Sequence, residues 1–442
     1  MRSARSCGAD CTKSACQEAI IGLARHRETS IGSFNMRVVV AVEARFVVVE
    51  GKVYSSYLTY ESFWRRYLVA FDSLLIIARA SQRDHVPDGH QIVNGEGVQL
   101  AALPQYQGPR EFLGRRGTIR RLIRGSLRAD DACILRVPGN IGTQVWRQLP
   151  PGRPFGVEVI VDPWDEFAPG AVRHIARPFF RWLYTRNLTA QCCQAVAASY
   201  VTEFALQKRY PPSKDALTTH YSSIGLSAAN ICSNTTARMK AISTIPARLA
   251  GEESPVRLGF IGSFTLGHKL PDVHIRALAR CVSRGANVTL DMIGEGTMLD
   301  RMRGLARELR VEDRVTFRGR LPGGQAIFDA IDTFDLFLNA TAAEGLPRVV
   351  IEAMSRGCPC IASTVNGHPE LLESRDLVPP GDVDALVEAI LRMLSNPKAM
   401  AERVSRNIEI ARNYTEEVLA PRRRLFYEAL CERTQHWLAR RC

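Results

Sequence analysis

Two acidic residues, Glu344 and Glu352, enclose the stretch Gly345-Leu346-Pro347-Arg348-Val349-Val350-Ile351, and Ala353-Met354 follow. The apolar run Leu336-Phe337-Leu338 before them reads as a buried strand. A short loop comes next, then Pro347, a residue suited to the first turn of a helix. Val350, Ile351 and Met354 recur at a spacing that turns them toward a core, and Gly357 is placed to end the helix. Cys358-Pro359-Cys360-Ile361-Ala362 then opens another strand. One carboxylate therefore stands at the mouth of a strand–loop–helix turn, and the other lies about 7 Å further along the helix. Free amides at a helix start favour a diphosphate. An acidic side chain beyond them can accept hydrogen bonds from ribose hydroxyls. The arrangement suits a nucleotide-sugar, with Glu344 beside the sugar. The alternative is a pair of solvated glutamates.

The surrounding pattern supplies the elements that would position these groups. Residues 36–42, 73–78, 133–135 and 157–161 read as strands, and Phe63, Trp64, Tyr67 and Leu68 form an apolar stripe at helical spacing. Strands alternating with helices predict an α/β protein with a largely parallel sheet. Between residues 228 and 254 the pattern weakens into small and polar residues, and 236–255 is expected to be a linker. A second alternating region begins at Val256. Residues 415–442 are helical in pattern.

The stretch between the two glutamates resembles the E-x7-E element of the retaining glycosyltransferases of family 4, which have the GT-B fold. Other residues resemble that family in order. Val256-Arg257-Leu258-Gly259-Phe260-Ile261-Gly262-Ser263, with His268-Lys269 and Pro271-Asp272-Val273, resembles the strand and phosphate loop of its donor domain. Asp291-Met292-Ile293-Gly294-Glu295-Gly296 resembles its second strand and turn, and Val315-Thr316-Phe317-Arg318-Gly319-Arg320-Leu321-Pro322 its base-binding loop. Asn366-Gly367-His368-Pro369-Glu370 and Pro380-Gly381-Asp382 follow. The resemblance is strong from about Val256 to Tyr414 and weaker from Met36 to Tyr221.

It implies two Rossmann-like domains with parallel sheets facing an interdomain cleft. The first, residues 36–235, would bind the acceptor. The second, 256–414, would bind the donor. A final helix, 415–442, would return to the first domain; residues 1–35, outside the resemblance, are low in periodicity and read as a disordered extension. Glu344 would hold sugar hydroxyls and offset developing positive charge, and Lys269 would contact phosphate. Ser263, Arg318, Gly319, Gly345, Leu346, Pro347 and Glu352 would line the donor site. Relatives carry Arg where this chain has Ser263, so one charge is missing there, and Arg348 or His268 is available to replace it. Asp162, in Asp162-Pro163-Trp164-Asp165, takes the place of a cleft histidine; the alternative is a turn-forming Asp before Pro. Gly51 would let the backbone approach the phosphates, and Arg136 would line the acceptor side.

The chemistry implied is retaining transfer from a nucleotide-sugar to a saccharide or lipid-linked saccharide, in cell-surface polysaccharide or lipopolysaccharide assembly. No cofactor or metal is expected, because cations and helix amides can balance the departing diphosphate. A GT-B epimerase or inverting transferase fits the glutamate pair less well. A noncatalytic GT-B scaffold that binds sugar nucleotides is the alternative that Ser263 keeps open.

Composition bounds the partners. The chain has 442 residues, 46% hydrophobic and 23% charged, with a net charge of +13. No apolar run approaches the ~18 residues a spanning helix needs. The stretch at residues 19–24 is too short for a secretory signal. The expected location is the cytoplasm, with a peripheral position on the inner face of the membrane. The twelve cysteines are scattered and read as reduced thiols. Cys7, Cys11 and Cys16 lack a nearby His, and His85 and His90 read as a polar loop rather than a metal site. The positive charge suits an anionic partner, but no nucleic-acid-binding motif accompanies it. Arg115, Arg116, Arg120, Arg121, Arg124 and Arg128 interleave with Ile119, Leu122, Ile123 and Leu127. Two readings of that helix stay open: it lies on anionic lipid, or it packs on the core with a solvated basic face.

Overall fold

The computed structural model describes residues 36–169, 174–265 and 267–441. The N-terminal extension, its three cysteines and the stretch at 19–24 lie outside the described residues. From Met36 onward the chain forms one compact unit built from two sheets.

In the first lobe the strands are β1 (Arg37–Val49), β2 (Lys52–Ser55), β3 (Ser73–Gln82), β4 (Gln91–Ile92), β5 (Val98–Leu103), β6 (Ala132–Val137), β7 (Gly156–Val159), β8 (Ala197–Tyr200) and β9 (Leu217–His220). The order β5-β3-β1-β6-β7-β8-β9 is parallel throughout. The hairpin strand β2 adds antiparallel to the upper end of β1, and β4 to β2. The helices are α1 (Gly108–Ser126), α2 (Asn140–Trp146), α3 (Pro163–Glu166), α4 (Arg177–Gln194) and α5 (Ala205–Arg209). Ile119 and Ile123 of α1, Ile141 of α2 and Leu188 of α4 pack with Val39, Ile77 and Leu135 in one core, so these three helices cover the same sheet face. β6 is buried on both faces, which is why its residues 132–135 read as an apolar run.

β1 outruns the expected end at residue 42. Glu43 and Arg45 interrupt its apolar pattern, but pairing with β3 resumes beyond a bulge between Ala41 and Arg45.

The second lobe opens with α6 (Thr236–Ala250). This corrects the linker expected at 236–255. Alanines favour helix, and Ile242 and Ile245 recur at helical spacing and join the second lobe's core. The small residues that suggested a linker lie on a helix thinly coated with apolar groups. The strands are β10 (Val256–Ile261), β11 (Val288–Ile293), β12 (Val315–Phe317), β13 (Leu336–Asn339), β14 (Cys360–Ser363) and β15 (Leu377–Val378). Their order, β12-β11-β10-β13-β14-β15, is parallel throughout. The direction of winding reverses between β10 and β13, and ligands of open α/β sheets bind outside the carboxyl ends at such a point. The helices that bear on the site are α7 (Pro271–Ser283), α8 (Arg348–Ser355) and α9 (His368–Leu371).

The last helix, α10 (Glu416–Ala439), crosses back to the first lobe. Its Tyr427 ring lies 5.0 Å from that of Tyr67. A side chain on Gly156 of β7 would meet Phe426 at 2.8 Å.

Candidate functional site at the carboxyl ends of the second sheet

β13 is wholly buried, and the chain leaves its carboxyl end through residues 340–347 before α8 begins. Pro347 is the N-cap of α8, one position earlier than expected. Gly357 follows the C-cap, as its position after Met354 implied. The loop after β10 comes alongside and ends in the 3-10 turn Gly267–Lys269. Two backbone contacts pin the loops together. The Ala342 amide donates to the His268 carbonyl at 2.7 Å. The Ala340 amide donates to His274 Nε2 at 3.2 Å. His274 is buried in α7, its Nδ1 is 3.0 Å from the Leu270 carbonyl, and burial pushes it down to about 4. The neutral ring thus donates from Nδ1 and accepts at Nε2.

Within this frame Lys269 Nζ donates to Glu344 Oε1, with both side chains largely buried. Burial alone would push the Glu344 carboxyl up, but the Lys269 ammonium outweighs it and holds the group below the ordinary glutamate range. Glu344 is therefore an ionised carboxylate at the mouth of the crevice. His268 is pushed down by burial and by Lys269, so it is neutral and brings no cation to this loop. Ser263 Oγ accepts from the Thr265 amide at 3.1 Å and shapes the turn. Arg348 is exposed at the first position of α8.

One turn further along, Glu352 is mostly buried, and its carboxyl accepts no hydrogen bond from any described residue. Burial raises it to about 7, with Arg348 partly offsetting the effect. The residue is part-buried and its oxygens remain reachable, so water or a ligand hydroxyl can donate to them. On the far side, Arg318 Nη2 donates to Asp291 Oδ2 at 2.5 Å, and the Gly319 carbonyl accepts from the Gly294 amide at 2.8 Å. The loop after β12 is thus fastened to the turn after β11.

The glutamate loop also meets the first lobe. A side chain at Gly345 would lie 2.2 Å from the Ile160 carbonyl, just past β7, so only glycine fits. Leu346 is buried beside it. Asn366 Nδ2 donates both to the Glu344 carbonyl and to Asp165 Oδ2 of the first lobe, each at 2.9 Å. Glu370 of α9 accepts from the amides of Glu203, Phe204 and Ala205 at 2.7, 2.9 and 2.7 Å, capping α5 from across the cleft. Sequence reasoning quoted these residues without giving them a role. The signal available was an Asn and a Glu flanking Gly-His-Pro at a helix start.

Three expectations change. Asp162 does not face the cleft freely. It is fully buried, it caps α3 by accepting from the Trp164 amide at 2.8 Å, and it is held by Arg209 and by the Tyr210 hydroxyl at 2.6 Å. Its lone pairs are committed, which is the turn-forming alternative in fuller form. Arg136 is buried and committed to Glu158 and Tyr67. Gly51 is the exposed second residue of the β1–β2 hairpin turn, where it and Glu50 have φ of 78° and 49°. Such a turn selects Gly for its backbone. In the middle of β1, beside its bulge, the sequence reading missed Glu43. It accepts from the Tyr106 hydroxyl at 2.5 Å and from the Ile141 amide at 3.0 Å, and it pairs with Arg79 at 3.0 Å.

A separate cavity of about 700 Å³ touches Arg238, Arg248, Asp332, Asp335 and Arg356. Arg248 and Arg356 are already paired there with Asp335 and Asp332. His85 and His90 lie in the loop between β3 and β4.

Residues 255–396 match the family described as glycosyl transferases group 1. Protein CapJ of Staphylococcus aureus is 24% identical over 359 residues, which is 78% of this chain and 83% of CapJ. HepE of Anabaena, solved in complex with UDP-glucose, superposes with a TM-score of 0.56 at 16% identity over 92% of this chain and 100% of that one. WaaG, a glycosyltransferase involved in lipopolysaccharide biosynthesis, gives 0.58 at 14% identity over 88% of this chain and 98% of that one. The shared architecture is GT-B.

Proposed function

Because residues 255–396 carry a group 1 glycosyl transferase domain within a GT-B fold, we propose that this protein transfers a sugar from a nucleotide-sugar to a saccharide or lipid-linked saccharide. The proposed setting is cell-surface polysaccharide or lipopolysaccharide assembly. The capture of UDP-glucose by HepE and the lipopolysaccharide role of WaaG support the donor and pathway classes. The observation that carries the reading is the Lys269–Glu344 pair beside the start of α8, with the unpartnered Glu352 carboxyl one turn further on.

In this reading Glu352 accepts the ribose hydroxyls that its carboxyl lacks in the free protein. The α8 amides and Arg348 face the diphosphate, with Arg348 supplying the charge that Ser263 does not. Lys269 is shared between Glu344 and a phosphate oxygen. As the glycosidic bond to the diphosphate breaks, the ionised Glu344 offsets positive charge on the sugar and positions its hydroxyls. The acceptor attacks the face the diphosphate leaves, with retention, and the departing phosphate oxygen takes the acceptor proton. Fixed cations and amide dipoles perform the electrostatic work, with no metal ion required. Asp162 acts indirectly, by capping α3, which carries Asp165.

The test is nucleotide release from a panel of nucleotide-sugars, comparing the wild type with Glu344→Ala. Release by the wild type alone supports the transferase. Nucleotide binding with no release from either protein, across varied acceptors, supports the scaffold alternative that Ser263 keeps open.

A further inference from the structure

Two strongly basic helices cover the same sheet face of the first lobe. α1 carries six arginines against one glutamate, and α4 carries three arginines and no acidic residue. α2 between them has no charged residue, and the next residue is Arg147. None of the arginines of α1 or α4 forms an ion pair with a described residue. Arg116 and Arg120 lie close enough to Arg147 to add to the effect of its own burial in pulling its pKa down. Asp165, near Arg181, and Glu111 on α1 offset only a small part of this charge, which favours an anionic partner.

The same face exposes large apolar side chains. Phe179 and Trp182, 53% and 52% exposed, form one outer stripe along α4 with Arg186, and Ile175, 98% exposed, lies in the turn just before the helix. The Phe179 and Trp182 rings lie 5.9 Å apart, and Arg186 sits over Trp182. Trp164, 43% exposed, lies under Arg181, whose guanidinium carbon is 3.7 Å from the ring centroid. Leu113 on α1 is exposed as well. Exposed aromatics among arginines match the chemistry of a membrane interface, where rings enter the headgroup layer and guanidinium groups meet phosphates. The helix read from sequence as amphipathic contributes differently from that reading. Ile119 and Ile123 are consumed by the core, so α1 offers its arginines with Leu113 and Leu122, while the exposed aromatics belong to α4.

We propose that the outer face formed by α1 and the start of α4 docks on an anionic lipid surface, with Phe179 and Trp182 inserted among the headgroups. This rests on the transferase reading only in giving the docking a purpose: it brings the acceptor lobe to a lipid-linked acceptor. The binding itself is measurable without substrate.

The experiment is co-sedimentation of the full chain with vesicles of phosphatidylcholine alone or mixed with phosphatidylglycerol, at low and high salt. The expected result is binding to the mixed vesicles only, weakened by salt. Reversing Arg115, Arg120 and Arg124 to Glu is expected to weaken it by more than ~tenfold, since each basic residue near such a surface contributes severalfold. A Phe179→Ser/Trp182→Ser variant is expected to lose the salt-resistant part. Both variants are to be checked for an unchanged thermal midpoint and unchanged nucleotide binding, so that misfolding and failure of the donor site are read separately. Equal binding to neutral vesicles, no binding, or full binding by folded variants would overturn the proposal. So would a preference for duplex nucleic acid over the mixed vesicles at equal salt.

Discussion

At the scale of single residues, two carboxylates on one turn of chain are tuned in opposite directions. Lys269 keeps Glu344 ionised although it is buried, whereas burial lifts Glu352 to about 7, with Arg348 only partly offsetting it. The lifted value fixes the sign of a pH effect. A carboxyl whose pKa rises on folding stabilises the fold fully below its unfolded pKa, near 4.5, and loses that contribution as the pH climbs through about 7. Glu352→Gln is therefore expected to raise the thermal midpoint of the free protein at about pH 8 and to leave it unchanged near pH 4, an effect on the order of 2 kcal/mol. Calorimetry at the two pH values checks this, and a shift of equal size at both would refute it. The ionised form is also the better acceptor for ribose hydroxyls. Nucleoside diphosphate binding is expected to tighten as the pH rises through about 7 in the wild type, and to be flat in Glu352→Gln.

At the scale of elements, the donor loop is pressed between lobes. Gly345→Ala would drive a methyl group into the Ile160 carbonyl, and the loop or the lobe must move. We expect this substitution to abolish turnover and to cost roughly 1–3 kcal/mol of stability, read by denaturant unfolding. An unchanged midpoint with full activity would show that the contact is dispensable. Glu370→Gln removes the negative charge that three first-lobe amides share. Hydrogen exchange is expected to rise at Glu203, Phe204 and Ala205, by about tenfold or more given the strength of charge-assisted bonds; no change would mean the cap is not holding.

How much of these elements could be read in advance follows their physics. β13 and α8 were legible because apolar runs, a Pro and a Gly mark local structure. α6 was not, because its alanines and threonines look alike in a linker and in a helix with few core contacts. The continuation of β1 past Glu43 was hidden because its polar residues are satisfied by Tyr106 and Arg79, groups 63 and 36 positions away in sequence. Asp162 lies three residues past the end of β7 and caps α3, as a turn-forming Asp before Pro would. Its orientation was decided by Arg209 and Tyr210, which no local pattern announces.

At the scale of the molecule, α10, Glu370 and Asn366 tie the two lobes together. The same Asn366 amide holds the backbone of Glu344 and the carboxylate of Asp165. The donor carboxylate is thus set by both lobes at once, and a change in their spacing would be felt at the reacting centre. The most direct test of this account is the division of labour between the two glutamates, measured as steady-state nucleotide release with nucleoside diphosphate affinity on the same proteins. Glu344→Gln is expected to lower kcat by about a hundredfold or more while affinity stays within roughly threefold, and Glu352→Gln to weaken affinity by about tenfold with the smaller effect on kcat. Wild-type kinetics and affinity in both variants would contradict the assignment of this crevice as the site of transfer.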